Sequence, residues 1–483
     1  MKPGVLKGTR DFLPNQVLKR KYLFNTIEAA FQLYGYLPIE TPAMEKLETL
    51  AGNYGEDGDR LLFKVLNNGD YLAKADAKDL ANKNSKKITH SISKRAMRYD
   101  LTVPFTRYVV MHQNDIQFPF KRYQIQPVWR ADRPQKGRYQ EFYQCDVDVV
   151  GSKSLIYEAE LVKMYDYVFR KLNLKVLIRI NNRKILYGIA EYCGCTNLFD
   201  EFTVILDKID KIGINGVTKE LVNIGINENS VDKILECITI KPENCTTGDC
   251  IDCGYENSNK VIEQFGEKLG NEMCKVFCLK GKFTEENCSK GLLGIEELEL
   301  VFKYLYLSYN IENDFEFSLS LARGLNYYTG CIFEVKALNA EMGSIGGGGR
   351  YDNLTEKFGG KNLSGIGISF GAERIFDVME ELELFNQIDI SLNSKIIFLS
   401  MNQECQESAF LTCNYLRIKG VACEIYPEPL KMKKQMKYAN ERGFQYVGIV
   451  GEEERINSKI MLKDMISGEQ KMVTGDELIE ILK

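Results

Sequence analysis

The stretch KRYQIQPVWRADRPQKGRYQEFYQCDVDVVG, Lys121–Gly151, holds two alternating runs around a turn-rich loop. Successive side chains of a strand point to opposite faces. In the second run Tyr143, Cys145, Val147 and Val149 make an apolar face, and Phe142, Gln144, Asp146 and Asp148 make the other. In the first run Tyr123, Ile125, Pro127 and Trp129 face the core, opposite Gln124, Gln126 and Arg130. The spacing predicts a hairpin with one core face and one face of carboxylate, amide and guanidinium groups. Its loop, Ala131–Tyr139, adds Arg133, Lys136 and Arg138. A polar sheet face is ordinarily solvated. This one combines cations suited to phosphate with an aromatic ring suited to a base, so a binding face competes with the solvated one.

Three further segments carry chemistry. In SLARGLNYYTGCIFEV, Ser320–Val335, an alternating strand ends at Arg323 beside Tyr327 and Tyr328. An exposed ion pair is the commoner fate of such an arginine. GSIGGGGRYDNL, Gly343–Leu354, contains four consecutive glycines. It is either a flexible loop or a backbone packed closely against a ligand or strand. It lacks the Gly-Lys-Ser/Thr of a nucleotide P-loop. It also lacks the spaced glycines of a dinucleotide fold. GIGISFGAER, Gly365–Arg374, reads as a strand running into a helix. Arg374 in its first turn, near free N–H groups, suits an anion.

The rest of the chain supplies the setting. A helical stripe of Leu23, Ile27, Ala30, Phe31 and Tyr34 stops at Gly35, and Pro38 and Pro42 favour extended chain after it. Residues 74–95 read as a polar loop or solvated helix, 99–151 as β-rich, 154–172 as helix and 185–310 as mostly helical. After a linker at 386–393, apolar runs Ile396–Leu399, Val421–Tyr426 and Tyr446–Val450 alternate with helical segments, predicting a small α/β domain with a mostly parallel sheet. The 483 residues, 44% apolar and 27% charged, match an ordinary globular composition at about 100–200 residues per domain. The net charge of −4 argues against a strongly basic nucleic-acid wrapper. No run is long and apolar enough to span a bilayer. The polar opening, Met1–Leu13, carries no apolar h-region, so secretion is not expected, and the 14 cysteines are too sparse for a disulfide scaffold. Reduced thiols and a cytoplasmic location are expected.

Taken in order, these segments resemble the histidyl-tRNA synthetase family of class II aminoacyl-tRNA synthetases. KGTRDFLP at Lys7–Pro14 is similar to the family's opening, and YGYLPIETP to motif 1, its dimer-interface motif. Phe120–Gly151 resembles motif 2, and GISFGAERI motif 3. LARGLNYYTG and GSIGGGGRYD resemble the two histidine signatures. The resemblance covers nearly the whole chain and is weakest over about 236–290. It implies an α+β class II catalytic domain, an antiparallel sheet flanked by helices, over residues 1–392 with a helical insertion at about 185–312. An α/β anticodon-binding domain follows at 393–483.

The implied reaction has two steps: histidine and ATP give histidyl-adenylate and pyrophosphate, and the histidyl group passes to the 3′ end of tRNA(His). ATP enters as a substrate with Mg2+, and a homodimer is implied. Carried over residue by residue, Arg130 and Arg323 are the catalytic pair. Arg130 holds the α-phosphate and the carboxylate of histidine, and Arg323 stabilises charge at the α-phosphate. Arg138 and Arg374 grip the outer phosphates. Phe142 stacks on adenine beside Asp132. Asp100, Thr102 and Gln144 take the α-amino group, and Asp148, Tyr327 and Tyr328 the imidazole. Gln135 faces the acceptor end of the tRNA. Asn326, Leu101 and Asp132 depart from the commonest family residues, keeping the polar or acidic character where it matters. The chemistry agrees: nucleotidyl transfer needs in-line positioning and cations aimed at developing charge, and guanidinium forks match phosphate and carboxylate oxygens.

Cys250-x-x-Cys253 with Cys274-x-x-x-Cys278, near Cys245, is a loose zinc pattern, and no metal is expected there; Cys193 and Cys195 read as packing. KMKKQMK, Lys431–Lys437, places Lys431, Lys434 and Lys437 on one helix face, either solvated or set against tRNA phosphates. The only histidines, His90 and His112, lie outside every motif. Competing assignments are a non-catalytic histidine-binding regulatory paralogue, a sensor of uncharged tRNA, and a synthetase for another amino acid. The four arginines and the C-terminal segment weigh against the first two, and the histidine signatures against the third.

Overall fold

A computed structural model of the chain describes residues 2–52, 55–240, 258–308, 311–322, 328–353, 355–388 and 394–482. It divides into two compact units, Met1–Gln387 and Ile388–Lys483. Strands are numbered along the chain. The first unit holds β1 (Leu37–Pro38), β2 (Met44–Lys46), β3 (Lys64–Val65), β4 (Arg95–Met97), β5 (Phe120–Trp129), β6 (Glu141–Val150), β7 (Val176–Asn182), β8 (Asp314–Phe317), β9 (Cys331–Ala337), β10 (Gly346–Tyr351) and β11 (Gly365–Gly371). The second holds β12 (Ile396–Ser400), β13 (Cys423–Ile425), β14 (Tyr446–Val450), β15 (Ile460–Asp464) and β16 (Gln470–Val473).

The main sheet of the first unit has eight strands in the order β1-β5-β6-β11-β10-β9-β7-β8. Its interior pairings are antiparallel, and only the outermost strands, β1 on β5 and β8 on β7, run parallel. The predicted hairpin is present, with Arg122 opposite Asp148, Gln124 opposite Asp146 and Gln126 opposite Gln144. The apolar face of β6 and β11 lies under two helices. Pro14–Leu33 starts with proline at a position where a missing N–H is harmless. It buries Leu23, Ile27, Ala30 and Phe31 completely. The second helix, Ile156–Lys171, brings Tyr165 to 4.8 Å and Phe169 to 5.7 Å from Phe370, ring centre to ring centre. Cys145 and Val147 lie inside this layer, fully buried.

The opposite face is neither apolar nor solvated. Arg122, Gln124, Asp146 and Asp148 are 0–3% exposed, so the solvated-face alternative fails. Trp129 also departs from expectation. It sits half-buried at the strand end, and its indole N–H donates to Glu141 Oε2 at 2.6 Å.

The glycine run is a strand in mid-sheet rather than a flexible loop, with β9 and β11 on either side. At Gly348 a Cβ would stand 2.2 Å from Gly367 O and 2.6 Å from Ile368 Cα. Only glycine lets the neighbouring strand come this close. The stretch 99–151 is less β-rich than its composition suggests, because Thr102–Met111 is a helix. Asp100 Oδ1 accepts from Val103 N at 3.1 Å to satisfy its first turn, and Pro104 falls in that turn, where proline is tolerated. A small sheet, β2-β4-β3, packs beside it.

Helices Glu228–Ile238, Ser258–Lys280 and Glu285–Leu307 bear out the helical middle tract. Cys245, Cys250 and Cys253 lie outside the described residues, Cys274 is buried, and Cys193 and Cys195 pack in the interior at 4% and 3% exposure. The second unit has strand order β13-β12-β14-β15-β16, with the first three parallel. The antiparallel β15 and β16 extend the sheet beyond the three apolar runs, and their polar residues, Lys463 in β15 and Gln470 and Lys471 in the edge strand β16, obscure them in the sequence.

Candidate active site

The buried polar face opens onto two cavities that share Arg130, Gln144, Gly347 and Ser369. The larger is a cleft of about 380 Å³, lined in part by Asp132, Arg138, Phe142, Glu373 and Arg374. The smaller, about 60 Å³, is lined in part by Asp100, Thr102, Asp146, Asp148, Tyr328 and Tyr351.

Arg130 stands at the junction because it follows the last residue of β5 and continues its polar face. Its Nε donates to Tyr99 O at 3.0 Å, and its Nη2 lies 3.5 Å from Gln144 Oε1. The guanidinium carbon is 4.3 Å from the centre of the Tyr99 ring and 5.1 Å from that of Phe142. Sequence reasoning singled out Phe142 but missed Tyr99, which lies 31 residues upstream.

The cleft gathers further cations. Arg374 begins the helix Ala372–Glu381, and its Nε and Nη1 each donate at 2.7 Å to carbonyls of Gly137 and Ser344. Burial, then the positive charges of Arg138 and Arg130, lower its pKa. Arg138 is exposed in the hairpin loop with one nitrogen 3.6 Å from Asp132. Its backbone exchanges hydrogen bonds with Gln135, which is exposed at the loop tip. Three guanidiniums around one cleft repel one another and favour an anionic ligand between them.

Acids line the smaller cavity. Asp148 is paired on both oxygens, Oδ2 at 2.7 Å from Arg122 Nη2 and Oδ1 accepting from Tyr351 OH at 2.6 Å. Burial raises its pKa against the pull of Arg122 and Tyr351. Burial likewise pushes Asp146 up to about 7, with Arg122 opposing and the charge of Asp148 adding to the rise. Arg122 carried a sequence signal, since it alternates with Gln124 on the polar face, whereas nothing local marks Tyr351 as a partner of Asp148. Asp100 is buried at 2% exposure, beside Thr102 at the start of Thr102–Met111. Tyr328 lines the cavity, and Arg323 and Tyr327 lie outside the described residues. The structure thus brings together Asp100, Thr102, Arg130, Gln144, Asp148 and Tyr328 in one cavity, and Arg130, Asp132, Arg138, Phe142 and Arg374 in the other. Among the described residues no three His, Cys, Asp or Glu side chains form a metal-binding group, and no helix is long and apolar enough to cross a membrane.

Comparison with known proteins places this arrangement. A family model described as histidyl-tRNA synthetase matches residues 8–77 and 285–375, and one described as anticodon binding domain matches 393–483. The chain is 48% identical over 481 residues to histidine–tRNA ligase of Bacteroides fragilis strain YCH46, covering 100% of this chain and 99% of that one. It is 50% identical over 484 residues to histidine–tRNA ligase of Christiangramia forsetii, with the same coverage. The crystal structure of histidyl-tRNA synthetase from Nostoc sp. PCC 7120 superposes with a TM-score of 0.77 at 28% identity, covering 100% and 99% of the two chains. With 48–50% identity over the full length of these relatives, the chain belongs to the histidyl-tRNA synthetase family.

Proposed function

We propose that this chain is a histidine–tRNA ligase whose adenylation centre is the junction at Arg130. The observation that carries this assignment is the sharing of one guanidinium by an arginine-lined cleft and an acid-lined cavity. Adenylate formation needs such a meeting place. A carboxylate oxygen of histidine bonds to the α-phosphorus of ATP, the bond to the bridging oxygen breaks, and pyrophosphate leaves with that electron pair. The 3′-terminal hydroxyl of tRNA(His) then bonds to the histidyl carbonyl carbon and releases AMP. Positioning and charge stabilisation do most of the work in such transfers.

In this assignment Arg130 bridges the α-phosphate and the amino-acid carboxylate, joined by Arg323. Arg138 and Arg374 take the outer phosphates, and Phe142 stacks on adenine beside Asp132. Asp100, Thr102 and Gln144 receive the ammonium group. Asp148, Tyr327 and Tyr328 receive the imidazole, whose N–H calls for an acceptor. Gln135 at the loop tip meets the acceptor end of tRNA. The basic helix Met432–Glu441, with Lys433, Lys434 and Lys437 exposed, supports contact with tRNA phosphates. Mg2+ fits as a companion of the triphosphate. Of the cleft carboxylates, Glu373 is occupied by Arg10 and Arg20, and Asp132, 3.6 Å from Arg138, would be the chain's own oxygen donor. The ion would supply charge neutralisation to the phosphates. A homodimer is supported by the outermost position of β1 and by large exposed apolar residues around it, Leu33 at 65%, Leu37 at 62% and Met44 at 48%.

ATP–pyrophosphate exchange with each of the twenty amino acids tests the assignment. Exchange is expected with histidine alone, and Arg130→Ala should lower its kcat/KM by about 10²–10³-fold with the melting temperature unchanged. Histidine binding without exchange in the folded wild type would overturn it in favour of the regulatory paralogue.

A further inference from the structure

The opening segment Lys7–Pro14 belongs to none of the catalytic roles above, yet it ends against the catalytic loop. Gly8 O accepts from Gln140 N at 2.8 Å, just where the hairpin loop rejoins β6. Gly8 has φ +89°, and a Cβ there would stand 2.7 Å from Gln140 Cγ and 2.9 Å from Pro134 Cγ. Only glycine fits both that backbone geometry and that space. Two residues on, Arg10 reaches three partners. Its guanidinium carbon stacks 3.6 Å from the centre of the Tyr139 ring. Its Nη1 donates to Tyr139 OH at 2.8 Å and to Asp377 Oδ1 at 3.0 Å, and its Nη2 donates to Glu373 Oε2 at 2.5 Å. Tyr139 OH in turn donates to Asp377 Oδ2 at 2.7 Å.

Two of the three partners adjoin a cation of the cleft. Tyr139 follows Arg138, and Glu373 precedes Arg374. Glu373 also receives Arg20 from the helix Pro14–Leu33 and the backbone N–H of Tyr143 on β6. Among the described residues the loop's other ties to the helix Ala372–Glu381 are the Tyr139–Asp377 hydrogen bond, Arg374 to Gly137 O, and an exposed ion pair of Lys136 with Glu381 at 3.0 Å. Exposed pairs contribute little. Arg10, with its side chain only 27% exposed, stacks on Tyr139 and pairs with Glu373 and Asp377 of the helix, so it braces the loop against the helix.

We infer that Arg10 is a positioning residue for ATP: it clamps the loop Ala131–Tyr139 to the helix Ala372–Glu381 and so holds Arg138 and Arg374 at the spacing a triphosphate requires. This rests on the synthetase assignment for its ligand, but the clamp itself is a claim about the loop. A displacement of about 1 Å in a positioned group can reduce the rate by about 10²-fold. The amino-acid cavity lies on the other side of Arg130 and has no contact with Arg10.

The test uses the full-length chain with Arg10→Ala, Arg10→Lys and Tyr139→Phe. In histidine-dependent exchange, Arg10→Ala should raise KM for ATP by about tenfold or more and leave KM for histidine within about twofold. Arg10→Lys keeps the charge without the fork and should recover part of the loss. The Arg10→Ala, Tyr139→Phe double variant should be no worse than Arg10→Ala. Independently of activity, limited trypsin digestion should cut after Lys136 or Arg138 faster in Arg10→Ala than in wild type. Equal loop cleavage in the folded variant would overturn the clamp. A parallel rise of both KM values with a lowered melting temperature would also overturn the positioning role, leaving Arg10 as a fold residue only. Absence of exchange in wild type would instead fail the synthetase assignment, and the digestion would still decide the clamp.

Discussion

The two main sheets differ in what their faces hold. The eight-stranded sheet has one apolar face under helices and one where Arg122, Gln124, Asp146 and Asp148 are buried together. The five-stranded sheet is apolar on both sides. Ile396 and Phe398 pack into one cluster with Cys405 and Leu416, and Ile397 and Leu399 into another with Ala439 and Phe444. Burying charge without compensation is costly, so a sheet that does it is organised around a ligand or a network. A sheet covered on both faces is a platform, and its recognition chemistry must sit on exposed helices such as Met432–Glu441. Even there one polar group is enclosed. Gln435, fully buried, pairs with both Ser400 N and Ser400 O, tying the basic helix to the C-terminal end of β12.

The largest test of this contrast concerns glycine. Gly348→Ala must push a methyl group into the backbone of β11, 2.2 Å from Gly367 O. Thermal unfolding should show a loss of about 3 kcal/mol or more. Gly448→Ala in the second sheet meets side chains rather than backbone, the Phe398 ring at 2.8 Å and Ile460 Cγ2 at 3.1 Å. Its loss should be about 1 kcal/mol. Equal losses would break the comparison.

A smaller effect should appear with pH. Asp146, raised by burial to about 7 from 3.8, withdraws stability as pH rises, none below about pH 4 and fully above about pH 7. Asp146→Asn removes that dependence. Its melting temperature relative to wild type should therefore increase between pH 4.5 and 8. Val447→Ala, in the apolar sheet, should lower the melting temperature alike at both pH values. The smallest effect is expected at the surface. Lys434→Ala should leave histidine-dependent exchange unchanged and raise KM for tRNA by about two- to fivefold, more at low salt than at high.

Much of the site was legible because strand alternation is a strict rule. Once Phe142, Gln144, Asp146 and Asp148 are placed on one face, Arg130 follows from the facing strand. The family resemblance then supplied roles that alternation cannot. What could not be read were partnerships across the chain. Arg10 and Glu373 are 363 residues apart, and Tyr351 and Asp148 203 apart. No local pattern encodes such pairs. The glycine run was ambiguous for a related reason, since a loop and a crowded central strand both need glycine, and only the neighbouring strands decide. The helix Thr102–Met111 was hidden because its Val and Phe content suits strands as well.

The thiols behind the polar face have a practical consequence. Cys145 on β6 and Cys331 on β9 are fully buried, and burial, the largest cause for each, pushes the thiol well above its ordinary pKa. The thiolate is the reactive form, so neither sulfur can be alkylated while the sheet is closed. Cys145 adjoins Gln144 on one side and Asp146 on the other. Its modification rate in mild denaturant therefore counts the openings of the strand that carries the substrate face, a native clock for local unfolding that requires no introduced label.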